Sequence, residues 1–124
     1  MITTEQLQAF FDQGWNRHDV DALMTFMADD CVFESASGAE ACGARHAGPE
    51  RVRAAFARVF AAFPDVQFAD LRHLVSGDRG LSEWTFVGTA AADGRKVEVE
   101  GCDLFTFRGD KIAIKRSYMK VRTT

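Results

Sequence analysis

The sequence predicts an α+β fold in which helices come first and a run of hairpin-linked strands curls over them. Three observations carry that reading. Apolar residues in the first half recur at helical spacing, most clearly Val52, Ala55, Phe56, Val59, Phe60 and Phe63. The second half holds four extended segments, 66–75, 81–91, 95–107 and 112–122. Their connectors Gly77-Asp78, Asp93-Gly94 and Gly109-Asp110 are tight-turn chemistry for an antiparallel meander. Within the third segment Val97, Val99, Gly101, Asp103, Phe105 and Phe107 share a side by alternation, so one acid stands on the apolar face.

Element by element, Thr3 or Thr4 caps a first helix whose apolar positions are Leu7, Phe10, Phe11 and Trp15, and Gly14 with Asn16 loosens its end. Asp19 is the N-cap of a short second helix with Leu23, Phe26 and Met27 inward, ended by Asp29 and Asp30. Residues 31–35 read as a strand and 37–48 as a glycine-containing loop or lid. Gly48 and Pro49 start the third helix, since proline is favoured in a first turn, and Pro64 stops it.

At 124 residues the chain is expected to be one domain, residues 1–124, large enough to bury a core without staples. A net charge of −3 gives no electrostatic reason to expect nucleic acid or an anionic membrane as partner. No apolar run is long enough to span a bilayer. The three cysteines have no C-x-x-C spacing and the N-terminus lacks a basic then apolar leader, which points to a reduced, cytoplasmic protein. His18, His46 and His73 lack ligand spacing, so no metal is expected. Eleven phenylalanines against one tyrosine suit either an apolar cavity or a phenylalanine-rich core.

An ionised Asp103 on an apolar face costs several kcal/mol unless it is paired or becomes neutral. It either accepts backbone amides at a bulge marked by Gly101, or pairs with a lysine or arginine, or serves a functional site as a neutral acid. Trp84 and Phe86 alternate against Glu83 and Thr85 and line the concave face, either as core or as ligand contacts. On the last segment either Lys115, Ser117 and Met119 face inward, or Arg116, Tyr118 and Lys120 do. Arg45 and His46 either close the mouth of a pocket or are solvated loop residues.

The segments Trp15-Asn16-Arg17-His18-Asp19-Val20-Asp21-Ala22-Leu23 and Met27-Ala28-Asp29-Asp30-Cys31-Val32-Phe33 resemble the opening of SnoaL-like proteins of the nuclear transport factor 2-like superfamily. Gly48-Pro49-Glu50, Phe63-Pro64-Asp65 and Phe107-Arg108-Gly109-Asp110-Lys111-Ile112 continue the likeness in order. The resemblance implies a cone-shaped, curved antiparallel sheet wrapped round about three N-terminal helices, a pocket between them, and often a homodimer. The superfamily serves polyketide cyclisation, ketosteroid isomerisation, epoxide hydrolysis, dehydration and plain binding, so the fold does not fix the function.

In ketosteroid-isomerase-like members a carboxylate at the end of the first strand is the proton-shuttling base, and Glu34 stands at the matching position. A protonated acid on a later strand helps form the oxyanion hole, and Asp103 matches it. The second donor of those isomerases is a tyrosine, where this chain has Phe11. Where SnoaL-like cyclases place an acid after an aromatic residue on the final strand, Tyr118 and Met119 are followed here by Lys120.

The leading expectation is therefore a cofactor-free acid/base enzyme, isomerase- or cyclase-like, in which Glu34 takes a proton beside a carbonyl and Asp103 donates to the enolate. Its substrate is a small hydrophobic molecule, a cyclic carbonyl or polyketide-like compound. The expected lining comprises Phe11, Trp15, Phe56 and Phe60 from helices, Trp84, Phe86 and Phe105 from strands, and Lys115, Tyr118 and Met119 from the last strand. The alternative is a non-catalytic binding or dimerisation module with Asp103 neutralised by Lys115 or Lys120. A homodimer is expected through the convex face around Glu98, Glu100, Leu104 and Thr106.

Overall fold

The computed structural model describes residues 1–123. Thr3 opens helix α1 (Thr4–Ala9) with a capping box: its hydroxyl accepts from the Gln6 amide at 3.1 Å, and the Gln6 side chain accepts from the Thr3 amide at 2.8 Å. The expected single helix then widens into a π-helical segment, Phe10–Trp15, closed by an Asn16 amide to Phe11 carbonyl bond of 2.8 Å. This wider turn sets Phe10 and Trp15 edge to face, with ring centroids 6.5 Å apart. Asp19 caps α2 (Val20–Thr25) by accepting from the Ala22 amide at 3.0 Å. Met27, expected on that helix, instead begins a strand.

That strand, β1 (Met27–Glu40), is much longer than residues 31–35. It returns through β2 (Gly43–Ala47), so the expected loop or lid is a β-hairpin. The register Val32↔Ala47, Phe33↔His46, Glu34↔Arg45 and Ser35↔Ala44 joins the two strands. Gly48, at φ 91°, turns the chain into α3 (Pro49–Ala62), with Val52, Ala55 and Phe56 buried. Four strands follow in the expected meander: β3 (Gln67–Ser76), β4 (Arg79–Thr89), β5 (Lys96–Arg108) and β6 (Lys111–Met119).

The six strands order as β2-β1-β6-β5-β4-β3 in one curved sheet around the helices, an α+β cone. One junction departs from an all-antiparallel sheet: β1 runs parallel to β6. Gly101 marks no bulge, because the β4–β5 register continues unbroken from Arg79↔Thr106 to Thr89↔Lys96. Its role is steric. A Cβ there would lie 2.7 Å from the Trp84 ring and 2.4 Å from the Tyr118 carbonyl oxygen, so bare backbone makes room for the indole.

Register also sorts side chains into rungs that cross the sheet. Val75, Gly80, Phe105, Lys115, Phe33 and His46 follow one another across β3, β4, β5, β6, β1 and β2 on the concave face, and His73, Ser82, Asp103 and Ser117 form a neighbouring polar rung. On the convex face the rung is Leu74, Leu81, Leu104, Arg116, Glu34 and Arg45. Among the described residues no helix is long and apolar enough to cross a membrane.

Candidate functional site

Between the concave face and α3 lies a cavity of about 550 Å³ with a mostly apolar lining. Trp15, Phe33, Val59, Phe63, Phe68, Trp84, Phe86, Val97 and Met119 supply its walls, and Lys115, Ser117, His46 and Arg58 its polar groups. A space of this size suits a molecule of two or three rings. The inward face of β6 is therefore the one that carries Lys115, Ser117 and Met119.

Behind the wall sits the acid. Asp103 is 0% exposed and its carboxyl group meets three donors. Trp84 Nε1 donates to Oδ2 at 3.1 Å, and Lys115 Nζ and the Ser117 hydroxyl donate to Oδ1 at 3.1 and 2.5 Å. A carboxyl group that receives three donors acts as an acceptor, the role of the ionised form. This corrects the expectation of a protonated Asp103 that donates to a substrate. Asp103 is held one layer back, and Lys115 and Ser117 present its influence to the cavity.

Lys115 is the more unusual group. It is 3% exposed, and its Nζ lies 4.6, 5.2 and 5.8 Å from the ring centroids of Phe33, Trp15 and Phe56. Burial pushes its ammonium below the usual lysine value, and the charge and hydrogen bond of Asp103 draw it only part of the way back. Two of its protons are engaged, by Asp103 and by the Ser117 oxygen at 2.9 Å. Trp15, another wall residue, has its indole Nε1 buried with no hydrogen-bond partner among the described residues. One Lys115 proton and the Trp15 N–H are thus left without an acceptor among the described residues.

His46 was expected as a mouth or loop residue and is instead a β2 residue of the cavity wall. Its ring stacks on Phe33 at 5.7 Å between centroids. Burial, and to a lesser degree the Arg58 charge, lower its pKa from the usual 6.5, so the ring is neutral near pH 7 and offers a nitrogen lone pair. His46 and Lys115 occupy one rung with Phe33 between them. Two strand spacings, roughly 10 Å, separate their backbones.

Glu34 does not reach this cavity. Its strand neighbours Phe33 and Ser35 line the wall, so alternation turns Glu34 to the convex face. There Arg45 donates to it at 2.9 Å and Arg116 at 3.1 Å. The strand does not end at Glu34, and the side chain is held rather than mobile.

Of the other expected wall residues, the structure brings Trp15, Trp84, Phe86, Lys115 and Met119 to the cavity. Phe11, Phe56 and Phe105 are buried in the core beneath it, Phe60 packs between Trp15 and His18, and Tyr118 is 52% exposed on the convex face. Phe33 and Arg58 are wall residues that were not expected there, and Ser117 takes the inward place that one of the two readings of the last strand gave it. The alternation Ala44, Arg45, His46 was the available signal for His46, hidden because that stretch reads as a loop.

The chain belongs to the SnoaL-like domain family, whose model matches residues 7–114. Among solved structures it is similar to a candidate polyketide cyclase from Pseudomonas putida KT2440, at 21% identity and TM-score 0.84, over 98% of this chain and 93% of that one. A candidate polyketide cyclase from Xanthomonas campestris pv. campestris gives 22% identity and TM-score 0.80 over 93% and 87%. TerC, co-crystallised with polyporic acid, gives 18% and 0.78 over 94% and 90%. At these identities the likeness is one of fold. No curated protein matches the sequence.

Proposed function

We propose that this chain is a small-molecule acid/base enzyme of isomerase or cyclase type, acting on a hydrophobic cyclic carbonyl or polyketide-like compound. The observation that carries the reading is the apolar cavity of about 550 Å³ that has donors at its inner end and a neutral histidine on the same rung. A carbonyl oxygen supplies an acceptor for the third proton of Lys115. A ring over Phe33 then brings the carbon beside that carbonyl toward His46, which takes its proton, while the third proton of Lys115 stabilises the oxygen of the enolate. Asp103 is the positioning residue, orienting Lys115 and Ser117 from behind. The scheme uses no cofactor.

The test is proton exchange. With 2-tetralone in D2O, proton NMR is expected to record faster loss of the protons beside the carbonyl when the protein is present, and His46→Gln is expected to slow it by about 10² to 10⁴-fold, the general-base range. A second reading, a binding module without chemistry, is favoured by one observation: Asp103 is already engaged by Lys115. Quenching of Trp15 and Trp84 fluorescence by 2-tetralone with no faster exchange selects it. We also propose a homodimer through the convex face, supported by the apolar half of its rung, Leu74, Leu81 and Leu104, beside the charged half; light scattering reads the mass.

A further inference from the structure

We propose that Lys115 is a covalent capture site, forming an iminium link with aldehydes or ketones that enter the cavity. The proposal rests on the reading of that cavity as a carbonyl pocket and goes further, assigning a bond where hydrogen bonding alone was invoked. Four features of the site converge on it. Lys115 Nζ is enclosed by Trp15, Phe33 and Phe56, which exclude water that would hydrolyse the link. Burial lowers the cost of freeing its lone pair, since the uncharged amine is the form an apolar wall favours. Asp103 Oδ1, hydrogen-bonded at 3.1 Å, is placed to receive and return protons. Lys115 also lines the cavity, so a molecule held there lies against its side chain.

The steps balance. The Lys115 ammonium gives a proton to Asp103, and its lone pair attacks the carbonyl carbon while the π pair of the C=O bond moves to oxygen. Asp103 returns that proton to the oxygen, giving a carbinolamine. A second proton then passes from nitrogen by way of Asp103 to the hydroxyl, the C–O bond breaks, water leaves, and the nitrogen lone pair closes the C=N bond. One ammonium and one carbonyl become one iminium and one water; total charge is kept and nothing is oxidised or reduced. The iminium remains beside the Asp103 carboxylate, a pairing that compensates its charge. It draws electrons from the neighbouring carbon more strongly than a hydrogen-bonded carbonyl does, which eases proton removal by His46.

The experiment treats the native protein with 2-tetralone and sodium cyanoborohydride near pH 7, followed by peptide mass mapping. Hydride adds to the iminium carbon and makes the link permanent. The expected product is one adduct, the mass of tetralone less its oxygen, on Lys115, exceeding the label on each of the exposed Lys96, Lys111 and Lys120 by about tenfold or more. The alcohol 2-tetralol, which cannot form an imine, should protect Lys115 and leave the exposed lysines unaffected. Lys115→Arg, which keeps the cation, should lose the adduct. Quenching of tryptophan fluorescence by 2-tetralone with no adduct on Lys115 overturns the covalent link and leaves the carbonyl pocket standing. Neither quenching nor adduct overturns both, and label confined to the exposed lysines also refutes the link.

Discussion

Replacing Lys115 by Met removes the cation and leaves Asp103 charged and 0% exposed. Breaking a buried ion pair from one side costs about 3–5 kcal/mol, because the remaining charge is uncompensated. Here Ser117 and Trp84 still donate to the carboxylate, so the loss belongs at the lower end, about 3 kcal/mol. In urea unfolding, with a slope of about 1.5 kcal/mol per molar for a chain of this size, the midpoint falls by about 2 M. Adding Asp103→Asn removes the stranded charge, and the asparagine oxygen can still accept from Ser117 or Trp84. The double variant should therefore recover most of the loss, a coupling of about 2 kcal/mol that only interacting groups produce. A Lys115→Met midpoint close to that of the wild type, or a double variant no more stable than the single one, would refute the claim that the pair is a dry, mutually dependent unit. The double variant also keeps the test open if the single one does not fold.

Glu34→Gln, made on the convex face between two arginines, should cost about 1 kcal/mol or less and leave 2-tetralone binding and exchange unchanged; a tenfold or larger loss of exchange overturns its assignment to that face. Gly101→Ala forces a methyl group against the Trp84 ring and the Tyr118 carbonyl, and calorimetry should register a loss of about 1–3 kcal/mol; an unchanged melting temperature contradicts the steric role. Burial holds His73 below its usual 6.5, against a smaller upward pull from Asp12, so as pH falls the unfolded chain takes up the proton first. Its contribution is complete above pH 6.5 and is lost on descent through and below that value, so urea midpoints from pH 7 to 5 should fall more steeply in the wild type than in His73→Gln.

The meander and α3 were legible because their determinants are local. Pro49 and Pro64 bracket α3, and the β5 alternation puts Asp103 inward from sequence order alone. The parallel seam between β1 and β6 was not legible, since nothing near Cys31 says which distant strand will lie beside it. Glu34 shows the same limit at one residue. Val32, Phe33 and Glu34 are all buried, Glu34 because arginines from β2 and β6 cover it, so no alternation announces which way each points. The cavity wall followed from these assignments: once residues 37–48 read as a loop, His46 had no face to belong to. Nor does composition separate Phe33, a wall residue, from Phe105, which is core. That distinction depends on where α3 lies over the sheet.

The polar rung of His73, Ser82, Asp103 and Ser117 also constrains how the hairpins can assemble. A one-residue slip between β4 and β5 would turn Asp103 outward and Leu104 inward, an error the hydrophobic pattern already forbids. A two-residue slip preserves inside and outside, and the apolar residues of β4 and β5 are similar enough to tolerate it. It would set Asp103 opposite Gly80 or Trp84 instead of Ser82, carrying the Trp84 indole, one of its three donors, two residues along β5 and breaking that hydrogen bond. The buried polar groups thus act as an alignment key during folding, reading the one displacement to which oil and water are blind. A chain without them would be expected to populate shifted hairpins of nearly equal energy, with the cavity closed or misshapen in each.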